Sequence, residues 1–323
     1  MARSDDLARA RYVQTSTLTR RVVEQVLALW RGIPPEGVLW EMEGATGRRI
    51  VNLVIAGQLT VGQGAEAFVR ASMAALGATA RPLLGSLAAT GFAGITGNGL
   101  RLDTLLYLPA VRAAQARAAG ATDEDAMQAG MFQMARLTGT VLADTSRSAT
   151  QVAMAANPNV KYYTRVVNLP ACARCIILAG RTYSYSEGFK RHENCDCEVQ
   201  PLDRADWQAV RTPKQLYEAM DPKERRRVFG VAGSQAIDEG ADMGQIVNAR
   251  RGMSDAGDAT TTEGVTVRGH YGRQMRRAGG AVDRGQGRYS VATTPRLSPD
   301  EIFRRTDDRD EQVALLRANA YLT

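Results

Sequence analysis

Cys172-x-x-Cys175, a gap of 16 residues, then His192-x-x-Cys195-x-Cys197: all four cysteines and one of the two histidines fall within a 26-residue window. Thiolate and imidazole are the donors of a tetrahedral N/S shell, and zinc is the ion that such a shell suits. Two sulfurs from one tight turn, joined by His and Cys from a second, would fill four coordination positions. A site filled in that way is closed, so its chemistry is structural cross-linking of a segment with little core of its own. Five donors compete for four places. Cys172, Cys175 and His192 are the preferred three, while Cys195 and Cys197 stand too close in sequence to be separated. Disulfide pairing of the same cysteines is the alternative, should the chain meet an oxidising compartment.

Catalytic versions of the cluster fit poorly. A zinc deaminase needs H-x-E followed by P-C-x-x-C, whereas here Pro170-Ala171-Cys172-Ala173-Arg174-Cys175 precedes His192-Glu193. No H-E-x-x-H occurs, and a Ser or Cys nucleophile would have only His270 as its base. His270 lies in Arg268-Gly269-His270-Tyr271-Gly272, within a stretch that shows no periodicity. An exposed histidine in a basic segment is the expectation there, and no catalytic residue is assigned.

Helical spacing dominates the residues before the cluster. Thr17 is a candidate cap for Leu18, Val22, Val26 and Leu29, with Gly32 and Pro34-Pro35 as the stop. A second run begins near Thr46, and Thr60 would cap a third that buries Ala65, Phe68, Ser72 and Leu76. Asp103 or Pro109 opens another helix, ended by Gly120. Thr122 and Asp125 then form a capping-box-like start for the longest pattern, Met127, Met131, Met134, Val141, Leu142, Thr145, Ala149 and Val152, reaching Ala156. The methionines read as adaptable core packing.

Alternation from Val160 to Val167 predicts a strand, and Thr182–Tyr185 and Glu198–Gln200 are two shorter extended pieces. Helices resume over Lys214–Met220 and Pro222–Gly240, and a last one spans Pro299–Arg317. The predicted architecture is mainly α with a small α+β zinc-knuckle-like unit. Its parts are a helical domain over 1–156, the Cys/His unit over 157–202, a helical segment over 203–251, and a flexible Gly/Arg-rich arm with a terminal helix over 252–323.

At 323 residues, 44% hydrophobic and 23% charged, the chain has the composition of a globular protein. A net charge of +7 and a pI near 9.4 attract anions. Of the 41 basic residues 37 are Arg, and seven of these (Arg268, Arg273, Arg276, Arg277, Arg284, Arg288 and Arg296) lie between Gly264 and Arg296 against one acid, Asp283. Arginines on a mobile backbone can follow phosphates without reading sequence, which makes double-stranded DNA the expected partner; a merely solvated arm, or one docked on an acidic protein face, is the alternative. Of the seven, Arg268, Arg273, Arg276, Arg277, Arg284 and Arg288 are the candidate DNA contacts. The amino terminus lacks an apolar core of signal-peptide length, so synthesis and retention in cytoplasm are expected. Nineteen uncharged residues, 82–100, have span length, but five Gly, a Pro and an Asn predict a loop and no stable membrane span.

The stretch YYTRVVNLPACARCIILAGRTYSYSEGFKRHENCDCEVQP, Tyr162 to Pro201, resembles the signature of the Mu F-type (MuF) minor head proteins of tailed phages. Its marks are C-x-x-C, the following L-A-G, and H-x-x-C-x-C before a proline. Two later pieces, Phe229–Met253 and Arg296–Leu322, look like the versions found in phages of actinobacteria. The resemblance implies a low-copy minor capsid protein inside the head near the portal vertex. Its partners would be the portal protein, the major capsid or scaffolding protein, and packaged DNA. Some relatives carry the name capsid maturation protease, which is the alternative function, although no nucleophile with a base can be placed here.

Overall fold

Thr122 accepts a hydrogen bond from the Asp125 amide at 3.1 Å, and the helix it starts runs unbroken for 34 residues, as the spacing predicts. The computed structural model describes residues 4–188, 197–204, 210–253, 259–283 and 288–322, and its chain divides into two compact units. The first comprises Met1–Leu169 with Ala179–Arg211, and the second Pro170–Leu178 with Thr212–Thr323.

The first unit holds α1 (Ser4–Arg31), α2 (Val38–Glu43), α3 (Ala45–Ala75), α4 (Leu102–Ala118) and α5 (Asp123–Ala156), followed by β1 (Tyr162–Val167), β2 (Thr182–Ser184) and β3 (Cys197–Leu202). Two helices are longer than their caps suggest. Thr17 sits inside α1, because Ala8, Arg11 and Thr15 extend the buried face upstream of Leu18. Thr60 sits inside α3, where its hydroxyl donates back to the Ala56 carbonyl at 2.8 Å in place of capping. Pro109 is likewise interior to α4, buried against its neighbours.

Helices α1, α3, α4 and α5 share a core of Val26, Trp30, Ile50, Val54, Leu106, Met134 and Leu142. Trp30 reaches α5 closely enough to donate its indole N–H to the Met127 carbonyl at 3.1 Å. Only glycine fits at position 130, since a Cβ there would lie 2.5 Å from the Trp30 ring and 2.8 Å from the Pro109 carbonyl.

A second part of the core joins helices to sheet: Ala8, Phe68, Val69, Ala149 and Met154 pack with Tyr163, Val166 and Val199. The sheet is antiparallel in the order β2-β1-β3, with Tyr163 opposite Tyr183 and Val167 opposite Cys197. The described strands of the 157–202 segment thus pack into the core of the helical unit. Residues 82–100 form a loop with one short 3-10 turn, and among the described residues no helix is long and apolar enough to cross a membrane.

In the second unit stand α6 (Ala173–Ile177), α7 (Pro213–Glu218), α8 (Pro222–Phe229), α9 (Val231–Asp238), α10 (Met243–Ala249), β4 (Thr260–Thr261), α11 (His270–Arg277), β5 (Val282–Asp283), β6 (Val291–Ala292), β7 (Arg296–Leu297), α12 (Pro299–Arg305) and α13 (Arg309–Ala318). The run expected as one helix over 222–240 breaks at Gly230, whose φ of +78° is open to glycine and costly for other residues. The terminal run likewise divides into α12 and α13. Ala236, Ile246, Ala249, Ile302, Leu316 and Tyr321 form the core.

The described part of the Gly/Arg segment is folded, contrary to the flexible arm expected from its lack of periodicity. β4 pairs with β7 and β5 with β6; the Val267 amide bonds to Ser290, and the Ala292 amide to Val265. Tyr271 of α11 is buried, and a Cβ at Gly272 would collide with the Thr266 backbone. Backbone pairing and a few large buried side chains order this region, and a search for hydrophobic periodicity detects neither.

Candidate functional site

Cys172 is the N-cap of α6, and its Sγ accepts a hydrogen bond from the Cys175 amide at 3.4 Å. The C-x-x-C spacing thereby becomes one turn at a helix start, with Cys172 exposed and Cys175 buried. Two sulfurs presented by one turn fit half of a tetrahedral thiolate/imidazole shell. His192 and Cys195 lie outside the described residues, and among the described residues no three His, Cys, Asp or Glu side chains converge.

Cys197 belongs to the first unit, at the start of β3, where its side chain is fully buried. The Arg165 guanidinium lies 3.9 Å from its Sγ, and Arg147 donates to its carbonyl at 3.0 Å while also pairing with Asp144 at 3.0 Å. Nearby, Arg11 donates to the Val61 carbonyl at 2.7 Å, and a Cβ at Gly64 would collide with its guanidinium. Burial pulls the Arg11 pKa down from its ordinary value, opposed by the charge of buried Glu198. Arg147 and Arg165 thus hold β3 from α5 and β1, while Arg11 links α1 to α3 within reach of the Glu198 charge. Sequence reasoning missed them: alternation assigns Arg165 to one face of a half-buried strand, whereas Tyr163 through Val167 are all buried.

The candidate DNA contacts have separate fates. Arg273, Arg276 and Arg277 are exposed on α11, and His270, Arg273 and Arg277 recur at a spacing that gives them one helix face. Arg276 and Arg277 also sit in the last turn, where positive charge complements the helix dipole. Arg268 and Arg288, both exposed, lie 4.3 and 5.6 Å from the centroid of the Tyr289 ring. One ring thus orients two guanidiniums. Arg284 lies outside the described residues.

Arg296, counted with this basic segment in the sequence, is instead 1% exposed. Its guanidinium donates to the carbonyls of Asn319 (2.9 Å), Glu263 (2.9 Å) and Ala320 (3.4 Å) and to the Gln245 side chain (3.2 Å). The Tyr321 ring lies 4.1 Å away. Burial lowers the pKa of Arg296 and pushes the Tyr321 hydroxyl up to about 12, so Tyr321 stays neutral at physiological pH and donates to the Leu297 carbonyl. At this burial Arg296 is a structural hub and not a surface contact for phosphate.

Residues 100–222 match the model of the VG15 protein family. VG15 is a phage-associated family. The matched stretch is less than half of the chain; it contains α4, α5, the three-stranded sheet and the whole Cys/His window, and it stops before α11. The VG15-like segment therefore includes the cysteine cluster and leaves out the basic helix. No curated protein and no solved structure matches the chain.

Proposed function

We propose that this chain is a minor capsid protein of the Mu F type, built into a phage head at the portal vertex. In this role it contacts the portal protein and the major capsid or scaffolding protein, and its basic face meets packaged DNA. One coincidence carries the reading: residues 100–222 match a phage-associated family, and within them Tyr162–Pro201 has the spacing of the Mu F-type signature. The exposed arginines of α11 and the Arg268–Tyr289–Arg288 cluster support the DNA contact, which would be electrostatic and indifferent to sequence. No observation favours the maturation protease as a second reading.

Retention in the particle tests this role. Mass spectrometry of purified mature particles should find peptides from both units at low copy number relative to the major capsid protein. Absence from mature particles, or recovery only as self-cleaved fragments, would favour an assembly enzyme.

The Cys/His window holds one structural zinc in this account, with Cys172, Cys175 and His192 as ligands and Cys195 or Cys197 as the fourth. The C-x-x-C turn at the start of α6 supports the first pair. Purified protein should release about one equivalent of zinc on denaturation. Cys172→Ser should lose that metal. A metal-free protein with its four cysteines oxidised in pairs would establish the disulfide alternative.

A further inference from the structure

A small recess in the first unit is lined by Arg9, Val166, Val167, Asn168, Val210 and Arg211. Its polar lining consists of two guanidiniums and one side-chain amide, with no carboxylate among the lining residues. Asn168 is only 8% exposed, and its Nδ2, a donor of two hydrogens, has no hydrogen-bond partner among the described residues. A buried donor left without an acceptor is costly, and in native proteins it ordinarily finds a protein group, a water or a ligand. The side chains of Arg9 and Arg211 make no ion pair or hydrogen bond among the described residues. Asp6, one turn earlier on α1, does not line the recess. Three valines form the rest of the wall, and apolar walls strengthen the attraction between a guanidinium and an anion.

From this arrangement we infer that the recess between Arg9, Asn168 and Arg211 binds a phosphate-type oxyanion. The enclosed part has about the room of one water molecule, enough for one oxygen of a tetrahedral anion to reach the Asn168 amide. The remaining oxygens face Arg9 and Arg211, whose planar forks suit phosphate geometry. A free phosphate and the phosphodiester of a nucleic acid present the same oxygens, and either could be the source. The site lies in the first unit and α11 in the second, so the inference stands independently of the DNA contact proposed for α11.

The test uses the full chain in two arms, thermal unfolding with inorganic phosphate at constant ionic strength and binding of a short DNA duplex. Each arm compares the parent with Arg9→Gln/Arg211→Gln and with the α11 variant Arg273→Ser/Arg276→Ser/Arg277→Ser. Saturable stabilisation by phosphate, weakened about tenfold or more in the Arg9/Arg211 variant and unchanged in the α11 variant, supports the site and identifies a free phosphate as the ligand. Loss of duplex affinity in the Arg9/Arg211 variant, without any phosphate effect on the parent, supports the site and identifies the nucleic-acid backbone. If the Arg9/Arg211 variant folds as the parent does and matches it in both arms, the inference is overturned. Should that variant fail to fold, Arg211→Gln alone serves as the comparison and is read in the same way.

Discussion

Arg296→Ala is expected to destabilise the second unit by about 3–5 kcal/mol, through several buried acceptors left unpaired and the packing lost with the side chain. The guanidinium satisfies three backbone carbonyls and one side-chain oxygen that are distant in sequence, on Gln245, Glu263, Asn319 and Ala320. Its removal leaves those acceptors buried without a donor, at about 1–3 kcal/mol for each one that water cannot reach. It also opens a space beside the Tyr321 and Tyr271 rings. Arg296→Lys should recover part of the loss, because a single ammonium cannot span all four acceptors. Arg273→Ala, at an exposed position on α11, should stay within about 0.5 kcal/mol of the parent. Urea unfolding, with hydrogen exchange read over 296–322, separates these outcomes; equal stability of Arg296→Ala and Arg273→Ala would remove Arg296 from its place as a hub.

The second large effect concerns DNA. If the exposed arginines of the second unit neutralise phosphates, affinity for a duplex should fall steeply with salt, each contact contributing about 0.9 to the slope of log K against log salt. Replacing Arg273, Arg276 and Arg277 together with Ser should flatten that slope by about 2.5–3 and weaken binding at low salt by a factor on the order of 10–100. Because all three are exposed, the fold should survive the change. Duplexes of different sequence should bind the parent equally. A mutant with the parent's slope, or a parent that prefers one sequence, would contradict the electrostatic contact.

These two predictions depend on a distinction that the sequence does not make. All seven arginines between Gly264 and Arg296 look alike in a segment without periodicity, yet Arg296 is buried where α10, the turn after β4 and the C-terminal tail meet it, while Arg273, Arg276 and Arg277 face solvent. Long-range hydrogen bonds decide which is which, and they leave no local signature. Features set by neighbours in the chain were legible: the Thr122 cap, the length of α5, the strands around Tyr162–Val167 and Cys197–Leu202, and the C-x-x-C turn. Helix starts were misplaced where a threonine had two hydrogen-bonding options. Thr60 satisfies its hydroxyl on the preceding turn and the helix continues through it. The packing of the sheet on the helices was not legible for a tertiary reason, since Tyr163, Val166 and Val199 bury against Phe68 and Met154, far from them in sequence.

The Cys/His window was legible as a cluster of donors, and Cys172 and Cys175 do share one turn. Less visible were the charged side chains that fasten β3. Arg11, Arg147 and Arg165 come from three separate elements, and only folding sets Arg147 and Arg165 against Cys197 and brings Arg11 under the charge of Glu198. Nothing in their spacing marks them as a group.

Cryo-electron microscopy of the phage head, reconstructed without imposed icosahedral symmetry and with this chain tagged, tests the portal-vertex assignment most directly. The account predicts tag density at the single vertex that holds the portal, on the inner side of the shell. Density distributed over the whole shell, or heads that lack the chain altogether, would contradict it.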